Sequence, residues 1–212
     1  MSSAMAKSRA ASSLASRQTG DADTASQILD IAERLVQRRG FNGFSYADVA
    51  SELGVTRASL HYHFPGKAEL GLALIERYAI RFAEALETID EQHTAAPAKL
   101  EAYAGIYAGV LRDRRMCLCG MLAADYETLP EPMRAAVVRF FDDNEAWLTG
   151  VLQDGERDGL LAVEGAGRQA AQAIVSRLEG ALLVARPYGD VGRFEAAAAR
   201  LLSSLAHPAS RA

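Results

Sequence analysis

The chain is poor in the residues that cross-link or interrupt a fold. It holds two cysteines, Cys117 and Cys119, among 212 residues. Two thiols make no disulfide framework, so a reducing, cytoplasmic setting is expected. Proline occurs six times, and no Val/Ile/Thr-rich alternating run is long enough to read as a strand. No stretch reaches the roughly 18 apolar residues of a membrane-crossing helix, so no membrane partner is expected. The N-terminus has basic residues but lacks the apolar segment of a secretory signal. No G-x-G-x-x-G, P-loop or G-x-S-x-G pattern occurs, and no cofactor is implied. Cys-x-Cys with His61, His63, His93 and His207 lacks the ligand spacing of a structural zinc site, so no metal is expected.

Half of the residues are hydrophobic, enough to bury a sizeable core. Ala, Leu, Glu and Arg are abundant, a balance that favours helices. The net charge of −4 conceals an asymmetry. Residues 1–67 carry eight Lys/Arg against six Asp/Glu, so the acidic excess lies entirely in the remainder. A mildly basic front and an acidic back fit a nucleic-acid-contacting module joined to one that avoids DNA, although an imbalance this small also arises by chance.

Residues 1–22 are rich in Ser and Ala and read as a flexible tail, whose Lys7, Arg9 and Arg17 are placed to brush phosphates. From residue 23 onward the apolar spacing is helical. The first helix runs from about Thr24 to Arg39, with a capping pattern at Thr24–Gln27, the stripe Ile28, Ile31, Ala32, Leu35, Val36, and Gly40 closing it. Ser45 to Asp48 caps a second helix that ends near Leu53 and Gly54. Thr56 caps a short third helix that Pro65-Gly66 stops by Phe64. A fourth begins near Lys67. Further helices are expected from about Pro97, over Met116–Thr128, from Pro130 and Pro132 to Gly155, over Ala166–Ala185 and over Asp190–Leu205.

Two helices joined by a Gly-containing turn, the second one short, make a helix-turn-helix over Ser45–Phe64. Arg57, Ala58, Ser59, His61, Tyr62 and His63 fall on its outer face, with Leu60 and Phe64 inward. Arg57 can fork onto a guanine edge or a phosphate. Thr56 and Ser59 are small hydrogen-bonding groups, and Ala58 allows close approach to the groove. His61, Tyr62 and His63 offer donors to phosphate oxygens. The helix starts at Ser45 and Lys67 present N–H groups to the backbone. Composition alone fits equally an ordinary helical hairpin with a His-rich end.

Residues 28–72 resemble the DNA-binding region of the TetR (tetracycline repressor) family. The matching features are Gly40-Phe41, Ser45-Tyr46-Ala47-Asp48-Val49-Ala50, Gly54-Val55-Thr56, and Leu60 followed by His63-Phe64, Lys67 and Leu70. The family's usual Tyr after that Leu is here His61, with Tyr62 one place later, so either one serves the phosphate contact. The resemblance implies an all-α fold of about nine helices: a three-helix DNA-binding domain over 23–68 and an effector-binding and dimerisation domain over 69–212. It implies a repressor that binds a palindromic double-stranded DNA operator as a homodimer and is released by a small-molecule effector. Helices 8 and 9 would form the dimer interface through Ile174, Leu178, Ala181, Leu182, Ala198, Leu201 and Leu205, unless these faces pack only within one chain.

Helices 4–7 would enclose the effector among Tyr103, Tyr107, Cys117, Met121, Tyr126, Phe140, Phe141 and Trp147, a set that suits an apolar molecule and equally a plain core. Arg112, Arg114 and Arg115 precede Cys117 at an expected helix start. Positive charge there favours a thiolate, and cysteines near this helix sense electrophiles or oxidants in some members of the family. The other reading of Cys117 and Cys119 is two buried small hydrophobes. Two rival functions are a small helical enzyme with Cys117 as nucleophile, for which no general base stands nearby in sequence, and a helical scaffold that binds no DNA.

Overall fold

The computed structural model describes residues 23–206. The tail assigned to residues 1–22, and His207, lie outside them. Among the described residues nine α-helices follow one another: α1 over 23–39, α2 Tyr46–Leu53, α3 Arg57–His63, α4 Lys67–Gln92, α5 Ala96–Arg112, α6 Leu118–Ala124, α7 Glu131–Arg157, α8 Gly167–Ala185 and α9 Val191–Leu205. Short 3-10 turns follow α6 at Tyr126–Thr128 and α8 at Arg186–Tyr188. Among the described residues the sole β feature is an isolated bridge between Leu161 and Ala206.

The first three helices enclose Ile28, Ala32, Val36, Phe41, Phe44, Val49 and Leu60. Helix α1 already includes residues 23 and 24, so Thr24 lies inside it rather than at its cap, and the Gln27 side chain donates to Asp23 instead. It closes at Gly40, whose φ of +80° is left-handed, with Gly40 N–H donating to Val36 O at 2.8 Å.

Helix α4 belongs to both halves of the chain. Its 26 residues span about 39 Å at 1.5 Å per residue. Leu70, Leu74 and Ile75 lie on its first half, and Tyr78, Phe82, Leu86 and Ile89 run on into the bundle of α5–α9. Arg77 and Arg81 of α4 both donate to the buried Glu33 of α1, and Arg77 also reaches Asp30.

The segment expected as one helix over Met116–Thr128 is broken. Helix α6 covers seven residues and ends where Asp125 turns toward α1. The Asp125 carboxylate accepts from Phe41 N–H at 2.7 Å and Asn42 N–H at 3.4 Å, and the Asn42 amide donates to Thr128 Oγ1 at 2.8 Å. Just before α6, Met116 N–H donates to Gln37 O at 3.2 Å. Arg186, after α8, donates to Arg38 O and to Met121 Sδ. Both ends of α6 are thus tied to the C-terminal turn of α1.

Asp125→Ala leaves the Phe41 amide without its acceptor. The expected cost is about 1–3 kcal/mol, read by urea unfolding, together with faster hydrogen exchange at the Phe41 amide. Unchanged exchange there would show that the tie carries no load.

Candidate nucleic-acid interface

Helix α2 starts in a complete capping box. Ser45 N–H donates to Asp48 Oδ2 at 2.7 Å and Asp48 N–H to Ser45 Oγ at 3.4 Å. The hydrogen bonds from Ser45 hold the Asp48 carboxyl below its ordinary range. Gly54, with φ +74°, turns the chain toward α3. There Thr56 Oγ1 accepts from Ser59 N–H at 3.3 Å.

Leu60 anchors α3 with no exposure at all, while Arg57, Ala58, His61 and Tyr62 face solvent and Ser59 and His63 are half-buried. Tyr62 is 73% exposed, a large ring left outside the core. His61 is turned back onto its own fold. Its ring lies 4.7 Å from that of Tyr46, and its Nδ1 is 3.0 Å from Pro65 O. The Tyr46 hydroxyl lies 2.9 Å from Phe64 O and 2.6 Å from Gly66 O, fixing the end of α3. Burial, then Glu69, pushes that hydroxyl up to about 12, so it stays a donor.

The ammonium of Lys67 also points inward. It donates to Phe44 O at 2.6 Å and lies over the rings of Phe41 and Phe44 at 4.7 and 4.4 Å. Burial lowers its pKa. Ser45, Tyr46, Arg57, His61 and Lys67 border one shallow notch of about 370 Å³ at the start of α2. Of the expected residues, Ser45, Arg57, His61 and Lys67 thus meet at this notch, with His61 and the Lys67 side chain engaged in holding it.

A family model for bacterial regulatory proteins of the tetR family matches residues 28–74, and one for the tetracyclin repressor-like C-terminal domain matches residues 96–201. The chain belongs to the TetR family. It is a DNA-binding transcriptional regulator. A TetR-family regulator from Agrobacterium tumefaciens is 32% identical, with a TM-score of 0.85, over 88% of this chain and 99% of that one. Transcriptional regulator AcuR of Cereibacter sphaeroides is 29% identical over 78% of each chain. The transcriptional repressor NemR of Escherichia coli is 26% identical over 88% of this chain and 96% of its own. Its crystal structure, described as a reduced form, has a TM-score of 0.78. Among the described residues no helix is long and apolar enough to cross a membrane, and no three potential metal ligands gather.

The residues expected around an effector of this TetR-family protein lie between the core and the surface of α4–α7. Tyr103, Tyr107, Cys117 and Phe140 are sealed in the core. The Tyr103 hydroxyl is 3.1 Å from that of Tyr107 and donates to Asn144 Oδ1 at 3.2 Å. Phe141 packs half-buried against Phe140. Trp147 stacks on Tyr103 and donates to Asp90. Met121 is half-buried beside Arg186, and Tyr126 lies at the surface under Arg134. A groove of about 440 Å³ between α5 and α9 is lined by Leu100, Ala104, Phe194 and Ala198 and by none of these eight.

Two expectations are corrected. Ile174, Leu178, Leu182, Ala198 and Leu201 pack inside the chain, and Ala181 and Leu205 are half-buried. The outward stripe of α8 is one step round the helix, at Ala173, Arg177, Gly180, Leu183 and Val184, the last two 60% and 61% exposed. Cys117 is also not in positive surroundings. Arg112 pairs with Glu195 and Arg115 with Asp113, while Arg114 is exposed. Cys117 caps α6 in a buried place beside Glu179, and burial, then Glu179, pushes its thiol well up. Sequence reasoning missed Glu179 and Tyr78, which come to Cys117 from other helices.

Burial raises the Glu179 carboxyl above its ordinary 4.5. Its contribution to stability is therefore full below that value and is lost as pH rises through the folded-state value. Unfolding midpoints from mildly acidic to mildly alkaline pH should fall less steeply in Glu179→Gln than in the wild type. Parallel curves would contradict the assignment.

Proposed function

We propose that this regulator is a homodimeric repressor whose two α3 helices read the half-sites of a palindromic operator and which a small-molecule effector releases. The observation that carries this reading is the outer face of α3: Arg57, Ala58 and Tyr62 exposed on a helix that Leu60 and the Thr56 cap hold rigid. In this reading Arg57 takes a guanine edge, Thr56 and Ser59 support it, and Tyr62 and His63 take phosphates. Of the two candidates for the aromatic phosphate contact, Tyr62 is favoured, because His61 is committed to Tyr46 and Pro65. Ser45 and the start of α2 form the second phosphate contact, with Lys67 shaping the notch from below.

The division into a reader over 23–68 and a sensor from 69 onward puts α4 in both. The outward stripe of α8, with Ala197 and Arg200 of α9, forms the twofold contact and sets the α3 helices one DNA turn apart, roughly 34–36 Å. Effector bound among the aromatic side chains of α4–α7 favours a conformer in which α4 has swung. Moving the balance from 1:99 to 99:1 needs about 5.5 kcal/mol of differential affinity, and DNA weakens effector by the factor that effector weakens DNA. A second reading, in which Cys117 makes release sensitive to electrophiles or oxidants, is favoured by the polar groups gathered on its sulfur.

Selection of bound DNA from a random pool should return a palindrome. On it, Arg57→Ala should lose about 1–3 kcal/mol and relax the preference at one position per half-site. Undiminished affinity and preference would remove Arg57 from the reading role. Leu183→Glu with Val184→Glu should sediment as a monomer and lose tight operator binding. A dimer that persists would place the contact elsewhere.

A further inference from the structure

The bond that ties His61 to its own fold also fixes what its ring can offer to DNA. Its Nδ1 lies 3.0 Å from Pro65 O. A carbonyl only accepts, so Nδ1 carries a proton, and in the neutral ring Nε2 is a bare lone pair. Among the described residues Nε2 has no hydrogen-bond partner, and the ring borders the notch at the start of α2. The facing wall of that notch supplies donors. Asp48 N–H is taken by Ser45, whereas the amides of Tyr46 and Ala47 stand in the first turn, where a helix has no acceptor for them. A phosphate seated there would meet amide hydrogens on one side and, with His61 neutral, a repelling lone pair on the other.

Both neighbours of the ring suit its charged form. Protonation strengthens the Nδ1–H bond to Pro65 O. The Tyr46 ring, 4.7 Å away, presents an aromatic face to a cation. Protonation also turns Nε2 from an acceptor into a donor.

We propose that His61, as the imidazolium, donates Nε2–H to the DNA phosphate at the start of α2, so that operator binding takes up a proton at each half-site. The inference rests on the DNA-reading surface proposed above and deepens it by adding a phosphate contact and a pH dependence. A neutral His61 has spent its only N–H on Pro65 and cannot stand in for Tyr62; a charged one has a second N–H to give. The tyrosine usual at this place in the family would donate without taking up a proton, so the linkage belongs to the histidine of this chain.

The titratable and charged groups facing His61 are Tyr46 and Asp48 of α2, Arg57 of α3, and Lys67 and Glu69 of α4. The Tyr46 hydroxyl is pushed up to about 12 and the Asp48 carboxyl is held below its ordinary range, so neither changes charge near neutrality. Lys67, lowered by burial, is kept in every variant below, so its titration cancels in the comparison.

The test measures the affinity of the full-length protein for a duplex carrying the selected palindrome, at constant ionic strength. Lowering the pH from about 8 to about 6 should tighten binding by about tenfold per half-site, the worth of one hydrogen bond to a charged group. Calorimetry in two buffers of different ionisation enthalpy should show proton uptake on binding. His61→Tyr should bind with neither the pH dependence nor the uptake. His63→Asn, though weaker, should keep both. In the wild type, the His61 Cε1 resonance should titrate at higher pH in the complex than in the free protein. Affinity that ignores pH, without proton uptake, overturns the proposal and leaves the DNA reader standing. So does a pH dependence that survives in His61→Tyr and is lost in His63→Asn. Failure of the folded wild type to hold any selected duplex overturns the reading beneath it as well. Should the variants unfold, the wild-type resonance decides: a His61 titration that DNA leaves in place or moves to lower pH overturns the proposal.

Discussion

The geometry of the molecule depends on how α1 is held. Glu33 is a buried carboxylate on α1, and it is tolerable there only because Arg77 and Arg81 of α4 both donate to it. These charge-assisted bonds fix the roll of α1 against α4 more sharply than the apolar stripe of Ile28, Ala32, Leu35 and Val36 could alone. The other end of α1 is clasped by Met116, Asp125 and Arg186. Val49 of α2 and Leu60 of α3 are buried in the same core as the α1 stripe, so the direction of α3 is tied to that of α1. A regulator that moves α3 therefore has to act on these few polar contacts.

What could be read from the chain was what is encoded locally. Ser45, Thr56, Gly40 and Gly54 announce helix ends because capping and left-handed turns depend on neighbours within about four residues. Helical stripes were legible for the same reason. The break in α6 was not, because Asp125 turns toward amides of Phe41 and Asn42 on a distant part of the chain. The stripe of α8 showed that Ile174, Leu178 and Leu182 are buried, but periodicity does not say whether the burying surface belongs to the same chain or to a partner.

Cys117 is the clearest case of sequence neighbours misleading. Arg112, Arg114 and Arg115 suggested a positive setting, yet a loop with Arg114 at φ +57° separates them from the thiol. Arg112 and Arg115 are paired at the surface with Glu195 and Asp113, and Arg114 is exposed. The groups that govern the sulfur arrive from α4 and α8. The enzyme reading had lacked a base near Cys117 in sequence. In space Glu179 of α8 packs against Gly120, three residues after the cysteine.

The closed aromatic core and the short α6 fit together physically. Tyr78, Phe82, Tyr103, Tyr107 and Phe140 contact one another edge-on or tilted, an arrangement that resists gradual deformation. Helix α6 has seven residues, so few intrahelical hydrogen bonds oppose its displacement as a unit. Its outer attachments are a few hydrogen bonds to the end of α1, whereas α7 and α8 bury long apolar faces. The short α6 is thus the element that joins the core, through the buried Leu118 and Leu122, to the end of α1.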